Sequence, residues 1–352
     1  MQGHAIGAIN PFTIGGVMAL IMALILFPAR PAPRPAPIVA QRAHRLLWRG
    51  LGLLWGVDGL LQWQPALFTS RFLTSMRLNL TGQPPWVIQL LNGGYRLWAS
   101  HPVWANAGAG ALQVALGIVL WRQYQTRWGR RALWVALVWA LVVWVFGEGL
   151  GGLFTPGPTY WGGAPGAGIL YALAAAALLM PWRLWSSGRL MLVWRRGLGV
   201  VWWAGAALQT AAWDWTRRGN YAMLQGALRT HQPHWVTASL GQLGGVLATQ
   251  PLAANAVMVA VMALLGWMAW RDWDGLGTWT LGFLWIVTLW LGQDLGGLFT
   301  GTGTDPGVPA ILGLAWAVAW ISRAPSSIRV VTPEGVKVRN YRPGRPRSGH
   351  SA

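Results

Sequence analysis

Long apolar runs punctuated by clusters of arginine constrain this chain more than any other feature. A helix of roughly 20 apolar residues crosses about 30 Å of hydrocarbon. Such runs fall at about 11–28, 47–64, 102–121, 132–150, 166–182, 197–213, 251–270, 277–298 and 308–322. With 54% hydrophobic residues, 10% charged and 28 Trp, the composition excludes an ordinary soluble domain. The expectation is an all-α polytopic membrane protein with about nine transmembrane helices, embedded in a lipid bilayer.

The net charge of +19 would suit a nucleic-acid partner, but the arginines sit between apolar runs, where they set membrane orientation. No nucleic acid is expected. With the N-terminus outside, 21 of the 27 Lys and Arg residues fall on the cytoplasmic side, which selects this topology over its inverse. The first run has no basic segment ahead of it, so residues 1–29 read as a retained span and not a cleaved signal. A basic, Pro-rich linker at 30–46 follows, expected to be extended. The basic tail 323–352 is expected to be disordered and close to anionic lipids at the cytoplasmic face. A cytoplasmic (inner) membrane of a bacterium or archaeon fits this pattern.

An internal duplication organises the rest. Trp-Arg-Gly-Leu-Gly-Leu-Leu-Trp at 48–55 matches Arg-Arg-Gly-Leu-Gly-Val-Val-Trp at 195–202, and Gln62 then pairs with Gln209. Trp86-Val87 pairs with Trp235-Val236, and Pro102 and Asn106 with Pro251 and Asn255. Last come Gly-Glu-Gly-Leu-Gly-Gly-Leu-Phe-Thr at 147–155 and Gly-Gln-Asp-Leu-Gly-Gly-Leu-Phe-Thr at 292–300. Four spans repeat, in units 47–183 and 195–322. An even number of spans gives both units the same orientation, so a pseudo-two-fold along the membrane normal should relate two parallel four-helix repeats. The segments 65–100 and 214–250 are too polar to cross and suit amphipathic helices at the outer interface.

Ionisable groups in or near spans are functional candidates by default. Three carboxylates qualify: Asp58 mid-span, and Glu148 and Asp294 where apolar runs end. In the repeat register Asp58 faces Gly205, Glu148 faces Gln293 and Asp294 faces Gly149, so none has an acidic mate. Each has a blander reading, as a hydrated group, a cap or a buried hydrogen bond. Asp58 needs a partner, for which Gln62 one turn along or an arginine is available. Gln62 and Gln209, present in both copies, read as interhelical glue. Gly147/Gly151 and Gly292/Gly296 form small-xxx-small pairs that suit close helix packing. His231-Gln-Pro-His234 is a weak metal candidate, since Pro233 breaks a common helical face, and no metal is expected. The lack of cysteine removes disulfides, thiolate metal sites and iron–sulfur ligation.

A basic residue (Arg49, Arg196) leading into a Gly/Leu-rich helix, a long outer loop with proline, and then a helix of the type at 111–120 resemble the DoxX/DoxD-like superfamily, here in tandem over about 48–322. That resemblance implies a membrane subunit or quinone-facing partner of a respiratory redox system, with redox partner subunits and quinone as the cofactor. Asp58, Glu148 and Asp294 would handle protons or a polar head group; as no residue carries over from the superfamily, these roles rest on placement alone. A small-solute or ion transporter, and a non-catalytic scaffold or assembly factor, are the alternatives. Cysteine-dependent thiol handling does not carry over.

Overall fold

Prolines open several of the helices. Pro85, Pro102 and Pro251 each stand in a first turn, where the absent N–H costs nothing and the fixed φ already suits the helix. The computed structural model describes residues 37–219, 224, 228, 232–273, 275–322, 327–332 and 335–340. The expected first span and His231 lie outside these residues. The helices are α1 (Pro37–Leu61), α2 (Ser70–Leu78), α3 (Pro85–Ser100), α4 (Pro102–Arg122), α5 (Arg127–Val142), α6 (Ala167–Leu179) and α7 (Trp182–Ser186). They continue with α8 (Arg189–Leu208), α9 (His234–Thr249), α10 (Pro251–Trp270), α11 (Leu276–Gly292) and α12 (Gly307–Ile321). A π turn, Val143–Gly147, prolongs α5.

Two boundaries differ from expectation. The linker was expected to stay extended to 46, yet α1 starts at Pro37, because Ala40, Ala43 and Leu47 form a buried stripe at helical spacing. Within the tail, Ser327–Thr332 pairs antiparallel with Gly335–Asn340. There Val and Ile alternate with Arg and Lys, a period that suits strands.

The helices α4, α10, and α5 with its π turn are long and apolar enough to cross a membrane, while α6, α11 and α12 are apolar but shorter. Outward-facing Trp104, Ile118, Trp134, Val138, Val257 and Phe283 are exposed. An apolar surface of this kind suits lipid and is unfavourable in water. The helix α1 packs along α4 and α8 along α10, α5 against α6 and α11 against α12, and α12 lies on α1.

Close helix approach uses different glycines from those the sequence suggested. A Cβ on Gly117 of α4 would lie 2.7 Å from the Gly56 backbone of α1, and Gly52 and Gly59 meet the same helix. Gly151 and Gly296 instead sit in left-handed turns, with φ of 62° and 71°. Their Cβ atoms would collide with the backbone at Pro165 and Pro306 respectively. Since the helix ends before each, neither belongs to a helical small-xxx-small face.

Buried amides then lock the pairs. Gln62 Nε2 donates to Asn106 Oδ1, and Asn106 Nδ2 returns a bond to the Gln62 carbonyl at 2.9 Å. Gln209 and Asn255 make the same two contacts at 2.9 and 3.0 Å, so both glutamines do act as interhelical glue. Other contacts recur at matched positions. Trp144 and Trp290 each donate an indole N–H to a proline carbonyl, Pro165 or Pro306, at 2.8 Å. Trp86 meets Phe154 edge-on as Trp235 meets Phe299.

Gly151→Ala and Gly296→Ala should each destabilise the protein by at least about 1–3 kcal/mol, the cost of a left-handed non-glycine residue. Gly157, whose Cβ would meet open space, is the control and should tolerate alanine. Thermal unfolding in detergent micelles checks all three.

Candidate functional site

Two of the three sequence-nominated carboxylates come together, and a different third joins them. Asp58 projects from the buried face of α1, 3% exposed, and accepts from the Tyr171 hydroxyl of α6 at 3.4 Å. Gln62, one turn along, is not its partner, because Asn106 already takes that amide. Glu148 follows the π turn of α5 and caps α6: its two carboxylate oxygens accept from the Gly168 N–H at 3.0 and 3.1 Å. A helix N-terminus suits a carboxylate through its free N–H groups and its dipole. Gly166 must lack a side chain here, since a Cβ would run into the Glu148 carboxylate. Asp305 arrives from the far half of the chain, in the loop before α12, and its Oδ1 accepts from the Gly307 N–H at 2.7 Å. Burial raises the Asp305 carboxyl above its ordinary range, opposed by the Gly307 amide and the Thr304 hydroxyl.

These three acids border one cavity of about 430 Å³. Its other walls are mainly apolar and aromatic, with Trp55, Phe72, Met76, Leu97, Trp98, Trp139, Val143 and Phe146 from α1 to α5 and its π turn. The indole N–H groups of Trp55, Trp98 and Trp139 and the Gln113 amide oxygen are buried and have no hydrogen-bond partner among the described residues. Each such group carries a desolvation cost. A second cavity of about 360 Å³ shares Glu148, Ala167 and Asp305 with the first and adds the polar side chains of Asn79, Gln83, Thr155 and Gln293. The two spaces therefore meet at the Glu148–Asp305 pair. In apolar surroundings this cluster needs protons or a cation to balance it. Among the described residues no three His, Asp or Glu side chains are gathered closely enough to hold one metal ion.

Asp294 does not join the cluster. It begins the left-handed turn after α11, with φ 56°, borders neither cavity and interacts with Gln232. His234 is exposed at the start of α9. Asp214, just past α8, is another buried acid outside both cavities, and burial pushes it up to about 7.

Sequence reasoning missed Asp305 and Tyr171. Asp305 sits in Thr-Asp-Pro-Gly, which reads as an ordinary turn. A usable signal was scarcity: the chain has 8 acidic residues in all, so an acid flanking an apolar run stands out.

Glu148→Ala should destabilise the protein by about 1–2 kcal/mol through loss of the cap, and Glu148→Gln by less because an amide oxygen still accepts. Chemical unfolding of the two variants side by side tests this; equal losses would mean that the carboxylate oxygens do not serve α6.

Comparison of the chain with protein-family models, with curated proteins and with solved structures finds no match to any of them, so the geometry of this cavity stands as the guide to function.

Proposed function

We propose that this chain is a multi-pass protein of a bacterial or archaeal cytoplasmic membrane, with its N-terminus outside and its C-terminus in the cytoplasm. It would have nine spans: a first helix, then two parallel four-helix units related by a pseudo-two-fold along the membrane normal. The matched contacts of Gln62–Asn106 with Gln209–Asn255, and of Trp144 with Trp290, support the two-unit reading. Its function on this proposal is to bind a small, lipid-soluble quinone-like molecule in the first unit, as the quinone-facing subunit of a respiratory redox system.

One observation carries the reading: a mainly apolar, aromatic cavity is bordered by the three carboxyl groups of Asp58, Glu148 and Asp305. Aromatic walls suit a flat apolar ring, and a protonated carboxyl group beside it can donate to a carbonyl oxygen. Bound there, a quinone would take two electrons from a redox partner subunit and two protons to become the quinol. The chain's own part is to hold and orient. Trp55, Trp98 and Trp139 enclose the ring. Tyr171 fixes Asp58, and Glu148 and Asp305 stand where protons exchange with the neighbouring polar cavity.

The meeting of the two cavities at Glu148 and Asp305 also favours a second reading, passage of a small solute from the polar space toward Asp58. Protein in lipid nanodiscs, titrated with a short-chain benzoquinone while tryptophan fluorescence is followed, separates the two. Quenching should saturate in the wild type and in Asp294→Asn. The Asp58→Asn/Glu148→Gln double variant should bind at least about tenfold more weakly, the loss of one good polar contact in a dry site. Equal affinity in the double variant would sink the proposed site. Unquenched protein that nevertheless moves solute in proteoliposomes would favour transport.

A further inference from the structure

The second unit should contain a matching cavity, and the structure shows what fills it. Tyr160 and Trp161, from the loop that joins α5 to α6 in the first half, reach across into the second half and are 1% and 3% exposed there. The Tyr160 ring lies 5.9 Å from Trp202 and against Gly205, and its carbonyl accepts from Gln293 Nε2 at 3.1 Å. The Trp161 ring covers Gly292, and its backbone N–H donates to Gln209 Oε1 at 3.4 Å.

In the repeat register these five residues answer to Trp55, Asp58, Gln62, Gly147 and Glu148. All five border the open cavity of the first unit. The place that aromatic rings occupy in one half is thus empty space in the other. Tyr160 Oη and Trp161 Nε1 have no hydrogen-bond partner among the described residues, so the two rings are held by fit while the backbone of the pair is tied to Gln293 and Gln209. The reverse insertion does occur but brings no ring. Gly303 of the second loop accepts from Gln64 Nε2 at 2.9 Å, and Thr304 and Asp305 reach the first cavity. Nine residues, 156–164, separate Thr155 from Pro165, whereas five, 301–305, separate Thr300 from Pro306. The shorter loop carries Gly-Thr-Gly where the longer carries Tyr-Trp-Gly.

We infer that Tyr160 and Trp161 are a built-in occupant of the second unit's binding cavity, and that the ligand of the first unit is a flat molecule of about two fused rings, one per chain. The inference rests on the small-molecule reading of the first cavity and adds the shape and number of what it binds. Where Gly205 leaves room for the Tyr160 ring, the first unit has a carboxyl, Asp58, so the ligand carries a hydrogen-bonding polar group at that edge.

The test counts molecules bound per full-length chain in lipid nanodiscs by equilibrium dialysis. The probes are 2-methyl-1,4-naphthoquinone, indole, and the linear alcohol 1-octanol as the shape control. Wild type should bind one naphthoquinone, resist displacement by octanol, and bind no indole in the second half. Trp161→Ala should bind one indole more than wild type. Ala109→Trp, which builds a ring into the first cavity, should bind no naphthoquinone, and serves if Trp161→Ala does not fold. Two naphthoquinones in the wild type, or no added indole in a folded Trp161→Ala protein, overturn the built-in occupant. Displacement by octanol, or naphthoquinone retained by Ala109→Trp, overturns the two-ring assignment. If wild type binds no ring while Trp161→Ala still gains indole, the first cavity's reading fails separately from the stopper.

Discussion

Two helices of this protein begin in the interior, and an interior helix start must find acceptors for its free N–H groups away from bulk water. The answers at α6 and α12 determine much of the surrounding structure. At α6 the acceptor is Glu148, delivered by a π turn that ends α5 and by a left-handed stretch from Gly149 to Gly152. At α12 it is Asp305, two residues ahead of the N–H it serves. Trp144 and Trp290 then tie the proline carbonyls just before each helix start. Carboxylates that satisfy the backbone are thereby placed on the rim of a cavity. The same groups that serve the fold also border the cavity.

The helices themselves were legible, because apolar length and proline placement are local properties. Eight expected runs from 47 onward coincide with helices, although α1 and α8 start earlier than hydropathy suggested. Their first turns carry arginines alongside small buried residues such as Ala40 and Ala43, and a window average hides that stripe. The site was half legible. Asp58 and Glu148 announced themselves as acids within or beside apolar runs. Asp294 stands one step past the Glu148 position of a repeated segment, where the chain runs left-handed from Asp294 to Gly297, so helical spacing does not describe its placement. Asp305 and Tyr171 reach the cavity through tertiary packing, which no local pattern records.

On the two-unit reading, the halves have kept their frame and diverged in their interiors. The amide locks Gln62–Asn106 and Gln209–Asn255 are near copies. The acids are not: Asp58, Glu148 and Asp305 stand opposite Gly205, Gln293 and Ala164. Helix pairing is kept alike in both halves, whereas each of these three acids, costly to bury, stands without an acidic counterpart.

The loops that cross between the halves give this arrangement a history. Gly303 and Asp305 serve the first half, and Tyr160 and Trp161 serve the second, so neither half is complete by itself. A single four-helix unit with such a loop would close its interior only by trading loops with a twin. Two identical twins would trade identical loops and be equal in what they admit. Joining the twins into one polypeptide removes that obligation: each loop now has a fixed destination, one can lengthen into a permanent tenant, and the other can shorten and leave its host vacant. On the two-unit reading, the covalent tether between α6 and α8 is what would allow a symmetric frame to hold an asymmetric interior.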